Sequence, residues 1–192
     1  MFTNEQLQAL IRQEVISEQY PYWPKEEQAL KSYLKVILAE LRREKIQCKV
    51  EADHFGSGYA SYIRWFCYEA AQVKVIEEFN TRTEDIRGLH VLISRLAPVI
   101  LIGNGDESST YSLTGDHLSS GKSMLDSPHQ LVIDEPFEGL FNKLVRLFMK
   151  YHFNILQKED VEPKLPFDAV IPTLSRDKGQ YLVWDAIFYW ED

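Results

Sequence analysis

The sequence predicts an α+β fold: a mainly antiparallel sheet of about five to six strands packed against two N-terminal helices and one long helix in the C-terminal half. Three observations carry this. Apolar residues recur at helical spacing through the first 44 residues, and the spacing turns to alternation from Ile46 onward. A wide apolar stripe then returns between about 136 and 155, where Leu140, Phe141, Leu144, Val145, Phe148, Tyr151, His152 and Ile155 share one helical face. The resulting order lacks the regular strand–helix alternation of a parallel sheet. No repeat or linker divides the chain, so residues 1–192 are read as a single domain.

The first helix opens on Thr3 and Gln6, which fit a capping box, and buries Leu7, Leu10, Ile11 and Val15. Pro21 ends it, and Pro24 can open the second helix as its first residue. That helix runs to about Glu44, with Leu30, Leu34, Ile37 and Leu41 as its buried stripe. Ile46, Cys48, Val50 and Ala52 alternate as a half-buried strand. Residues 54–58 read as a turn. Residues 59–69 read as a second strand rich in aromatic and β-branched side chains, with a helix as competitor because of Ala60, Ala70 and Ala71. A third strand covers 73–79. Residues 89–102 form one bent strand or two short ones, broken at Pro98. Thirteen of the 28 residues in 103–130 are Gly, Ser or Thr, which predicts a long polar loop. Residues 181–190 read as a final strand with Leu182, Trp184, Ala186, Phe188 and Trp190 on one core-facing side.

Composition narrows the function. The chain carries 21 Lys and Arg against 29 Asp and Glu, a formal charge of −8. That balance argues against nonspecific nucleic-acid binding, which needs cations to displace phosphate counterions. No apolar run approaches a membrane span, and the N-terminus lacks the pattern of a secretory signal. Two cysteines make no disulfide framework, so both are expected as buried, inert thiols in a cytoplasmic protein.

The motifs that suggest catalysis fail on context. Gly121-Lys122-Ser123 followed by Asp134-Glu135 has the outline of a phosphate loop and its magnesium-holding acid. The required first glycine is replaced by Asp116, however, and Pro128 blocks the following helix. Asn104-Gly105 reads as a tight hairpin turn rather than a dinucleotide-binding turn. The five histidines lack metal-binding spacing. The best group, Asp116, His117, Asp126 and His129, reads as a solvated loop, and neither metal nor cofactor is expected. No nucleophile elbow is present, and adjacent carboxylates in a strand point to opposite faces.

Two features remain. Tyr62, Arg64, Phe66 and Tyr68 line one strand face, which suits either recognition or packing under the helices with Arg64 paired to an acid. Between Asp106 and Glu138 the chain carries a surplus of carboxylates, including Asp106, Glu107, Asp116, Asp126, Asp134 and Glu135, against Lys122 alone. An acidic loop on a rigid scaffold can steer a basic protein partner. The expectation is therefore a non-catalytic protein-binding module, with no nucleic acid and no membrane. A neutralising protein of the kind found in bacterial toxin–immunity pairs is one version, by analogy of size, acidity and absence of a catalytic motif. The alternatives are a small hydrolase or transferase with a site between 103–130 and the sheet, and a self-associating structural subunit.

Overall fold

The computed structural model describes residues 2–56, 58–173 and 176–191. Helix α1 (Asn4–Ile11) begins as expected. Thr3 Oγ1 accepts the Gln6 N–H at 3.2 Å, and Gln6 Oε1 accepts the Thr3 N–H at 3.0 Å. Helix α2 (Glu27–Arg43) buries Leu30, Leu34, Ile37 and Leu41, and starts three residues after Pro24. Strands β1 (Ile46–Glu51), β2 (Tyr59–Ala60), β3 (Tyr62–Glu69), β4 (Val73–Glu78), β5 (Thr81–Ser94), β6 (Val99–Ser112) and β7 (His117–Lys122) follow. Helix α3 (Glu138–Lys150), strand β8 (Asn154–Ile155), helices α4 (Lys158–Val161) and α5 (Val183–Ile187), and strand β9 (Trp190–Glu191) complete the chain.

The fold is α+β, as its sequence predicts, with a seven-stranded sheet. Its main path runs β1-β3-β5-β6-β7, β4 pairs β5, and β8 pairs β6. All these pairings are antiparallel except β6 with β8. Strands β2 and β9 pair separately.

Two segments depart from expectation. Residues 103–130 are not a long loop, because β6 continues through Ser112 and β7 returns beside it. Here Ser and Thr pair across the ladder instead of with water. Thr83 Oγ1 and Thr110 Oγ1 are 3.1 Å apart, and Ser108 donates to Asp85 at 2.7 Å. Asn104 and Gly105 accordingly sit mid-strand, opposite Leu89 and Gly88, and the β5–β6 turn occupies residues 95–98. Residues 181–190 are not a strand, since α5 occupies their centre. Residues 184–189 are all buried, so polarity carries no single-face signal there. Asp185 starts this turn by accepting the Leu182 N–H at 2.7 Å.

Alternation divides the sheet into two faces. Ile63, Trp65, Cys67, Leu89, Val91, Ile93, Ile100 and Ile102 form the first, and α2 and α3 cover it with Leu34, Ile37, Leu41, Leu144 and Phe148. On the second, Tyr62, Leu92, Val99 and Leu101 are capped by Leu7 and Leu10 of α1 and by Trp184 and Ile187 of α5. Further along this second face, Phe66, Tyr68 and Ile86 make a smaller cluster.

The second face is strongly concave, as the register shows. Lys49 lies in one row with Phe66, His90 and Gly103, while Glu107 stands four residues further along β6. A flat sheet would hold Lys49 and Glu107 about 20 Å apart at Cα, beyond their side-chain reach. They nevertheless form an ion pair of 2.8 Å. The curl is centred on the Gly88–Gly105 pair, where β5 exchanges β3 for β4 as its neighbour. A Cβ on Gly88 would lie 2.4 Å from the Cys67 carbonyl oxygen, and one on Gly105 would lie 2.5 Å from His90 Cδ2.

Gly105→Ala is therefore expected to lower unfolding stability by about 1–3 kcal/mol, the range for forcing a methyl into packed surroundings. Gly121→Ala, with nothing within 4 Å of the added carbon, is the control. Urea unfolding of the two variants decides, and equal midpoints would remove the close approach as a constraint.

Candidate functional site

Residues of both edge strands, β1 and β7, line one cleft of about 380 Å³ on the concave face. Lys49, Val50 and Glu51 come from β1, Arg64 from β3, Glu107 and Ser109 from β6, and His117, Ser120, Gly121 and Lys122 from β7. Alternation aims Lys49, Arg64 and Glu107 inward, and the curl brings them together.

Arg64 is the central group and only 5% exposed. Its Nη2 is 3.8 Å from Glu107 Oε1, while Glu107 Oε2 is held by Lys49 Nζ at 2.8 Å. Its Nη1 faces the Met124 sulfur at 3.6 Å. The guanidinium lies 5.6 Å from the centre of the Phe55 ring, and Lys122 Nζ lies 5.9 Å from the same ring. One aromatic ring thus supports two cations.

Beside this group, His90 is fully buried, with its ring 5.1 Å from that of Phe66. Its Nε2 is 3.1 Å from Ser123 Oγ, and Ser123 Oγ also accepts the Asp106 N–H at 2.8 Å. His90 Nδ1 has no hydrogen-bond partner among the described residues, so no carboxylate orients this imidazole as it would in an acyl-transfer triad. Burial, with a smaller contribution from the Arg64 charge, pushes its pKa down to about 4.

The structure separates the acids that the sequence groups together. Glu107 faces the cleft, whereas Asp106 alternates to the opposite face. Asp134 pairs with Arg87 at 3.2 Å, and both Asp134 and Glu135 lie exposed just before α3. Asp116 is exposed between β6 and β7, where it accepts from Thr114 at 2.7 Å and Ser112 at 3.2 Å. Those two hydrogen bonds, Thr114 first, hold its carboxyl below the usual range. Asp126 is exposed beyond β7.

Of the aromatic face, Tyr62 packs on Phe55 and Phe188, and Phe66 packs on Tyr68. Arg64 alone of those four residues lines the cleft. Gly121-Lys122-Ser123 closes an edge strand and precedes no helix. Asp116, His117, Asp126 and His129 form no cluster, and no group of three His, Cys, Asp or Glu able to hold a metal ion occurs among the described residues. No helix among them is long and apolar enough to cross a membrane. Sequence reasoning missed two juxtapositions, His90 with Ser123, and Cys48 with Cys67. These free cysteines are directly opposite in register, with sulfurs 2.8 Å apart, and burial pushes the Cys67 thiol pKa up. Both juxtapositions depend on strand register, which alternation alone does not give.

His90 makes stability pH-dependent with a definite sign. Unfolded, its imidazole takes a proton near the usual 6.5, whereas folded it does so only near 4. The unfolded chain binds more protons between those values, so this contribution is complete above about pH 6.5 and is lost as pH falls toward 4. The loss is expected to reach about 3 kcal/mol. His90→Gln should flatten that slope in urea unfolding at stepped pH, and an unchanged slope would reject the assignment.

No family model, curated protein or solved structure matches the chain.

Proposed function

We propose that the chain is a non-catalytic protein-binding module that meets its partner through the paired tips of the β4–β5 and β6–β7 hairpins. One observation carries this reading: large apolar side chains stand wholly or mostly in water there. Phe79 is 101% exposed in the β4–β5 turn, and Leu113 and Leu118 flank the neighbouring turn at 64% and 55%. The Leu113 N–H donates to the Asn80 carbonyl at 3.1 Å, which holds the two turns together. An exposed aromatic beside aliphatic neighbours is the composition of a binding anchor.

The surroundings select the partner's character. Outside the cleft, this half of the sheet carries Glu77, Glu78, Glu84, Asp85, Asp106 and Asp116 against Lys74, Arg82 and Arg87. The surplus is negative, which steers a basic surface toward the tips. All six residues of β7 are exposed, and its outer edge offers unpaired backbone groups beside the anchor.

Affinity capture from the native host tests the reading. Wild type is expected to retain one stoichiometric partner. Phe79→Ser with Leu118→Ser should abolish its retention, and Asp106→Lys with Asp116→Lys should weaken it about tenfold or more and blunt its salt dependence. Undiminished retention by both double variants would overturn the proposal. A dimer mass by light scattering, lost in Phe79→Ser with Leu118→Ser, would assign the tips to self-association instead.

A further inference from the structure

We propose that the concave cleft between β1 and β7 is a binding site for one oxyanion group of a small ligand, with Arg64 and Lys122 as its donors. The site includes none of the exposed tip side chains Phe79, Leu113 and Leu118, although His117 at the start of β7 lines it. Its basis is a buried cation short of acceptors. Arg64 is 5% exposed, yet the only hydrogen bond of its side chain among the described residues goes to the Met124 sulfur at 3.6 Å. Its ion pair to Glu107 is long, at 3.8 Å. Buried guanidinium groups ordinarily present two parallel N–H bonds to a carboxylate or phosphate. Here Glu107 is drawn aside by Lys49 at 2.8 Å and leaves that fork unfilled.

The remaining chemistry agrees. Lys122 makes no ion pair among the described residues, and its ammonium shares the Phe55 ring with the guanidinium, at 5.9 and 5.6 Å. The charged groups lining the cleft are Lys49, Arg64 and Lys122 against Glu51 and Glu107, an excess of one positive charge that a monoanion balances. Ser120 and His117 stand at the rim with further polar groups, and about 380 Å³ admits the oxyanion with a small substituent. Glu107 then acts as an internal competitor, being the carboxylate nearest in kind to the ligand.

The test is a ¹⁵N–¹H NMR titration of the full chain with inorganic phosphate and, separately, with acetate, at ionic strength held constant with sodium chloride. A saturable shift of the Arg64 Nε–Hε and Lys122 amide signals is expected, at affinities of about millimolar. Lys122→Met, at an exposed position that leaves the buried cation in place, should weaken binding about tenfold. Glu107→Gln should tighten it about threefold or more by removing the competing charge. Tighter binding of phosphate assigns the site to phosphorylated ligands, and tighter binding of acetate assigns it to carboxylates. Absence of saturation with both anions would overturn the proposal. So would affinities that neither variant changes, or shifts spread equally over lysines outside the cleft.

Discussion

The structure depends on the missing side chains of the Gly88–Gly105 pair. A side chain at either position would strike the Cys67 carbonyl or the His90 ring, so the chain has none there. This lets the long β5–β6 hairpin bend, pass from β3 to β4, and carry β7 back over the sheet. The bend is affordable because both ends of the sheet are anchored. On the convex side, α2 and α3 bury the Trp65 and Phe148 rings against each other at 5.6 Å. At the far end, Tyr22 donates to the Ser94 carbonyl at 2.7 Å, and Arg95 ties α2 to the end of β1 through Glu27 and the Ala52 carbonyl. The donors of these contacts, Tyr22 and Arg95, are buried, where a missing partner costs most.

The same bend sets the electrostatics of the concave face. His90 lies under Gly105, out of water, and its neutral form is favoured by that burial and by the neighbouring Arg64. A second buried cation beside the guanidinium is thereby avoided. The positive charge of the cleft comes instead from side chains of three strands, the buried Arg64 and the exposed Lys49 and Lys122.

Helices and most strands were legible because their burial is one-sided. The Leu30–Leu41 stripe and the alternation of β1 each leave a face in water, and periodicity reports that contrast, whereas β3, buried from Tyr62 to Tyr68, was legible from its aromatic and β-branched side chains. The reading failed where the contrast vanishes. From Trp184 to Tyr189 every residue is buried, so helix and strand look alike. The outer part of β6 and β7 is rich in Ser, Thr and Gly, which score as loop singly but form a ladder once Thr110 meets Thr83 and Gly105 meets Gly88. The cleft stayed hidden for a related reason. Asp106 and Glu107 were grouped by nearness in sequence, yet one residue of strand sends them to opposite faces. The cleft joins β1 to β7, the two ends of the sheet path, and nothing in either segment's own pattern announces the other.

This separation also limits what the total charge of −8 can say. Exposed charges more than about 8–10 Å apart are largely screened at physiological salt, so each surface is governed by its own groups. The hairpin half carries excess carboxylates in water, where screening keeps each of them weak. The cleft holds fewer charges, but Arg64 is taken out of water, and its interactions are correspondingly stronger. An acidic chain can therefore present a basic pocket, provided that the cations are gathered by the fold and the acids are spread over it. Strand β7 shows both arrangements within six residues: Leu118 adjoins the exposed turn at one end, and Lys122 lines the cleft at the other.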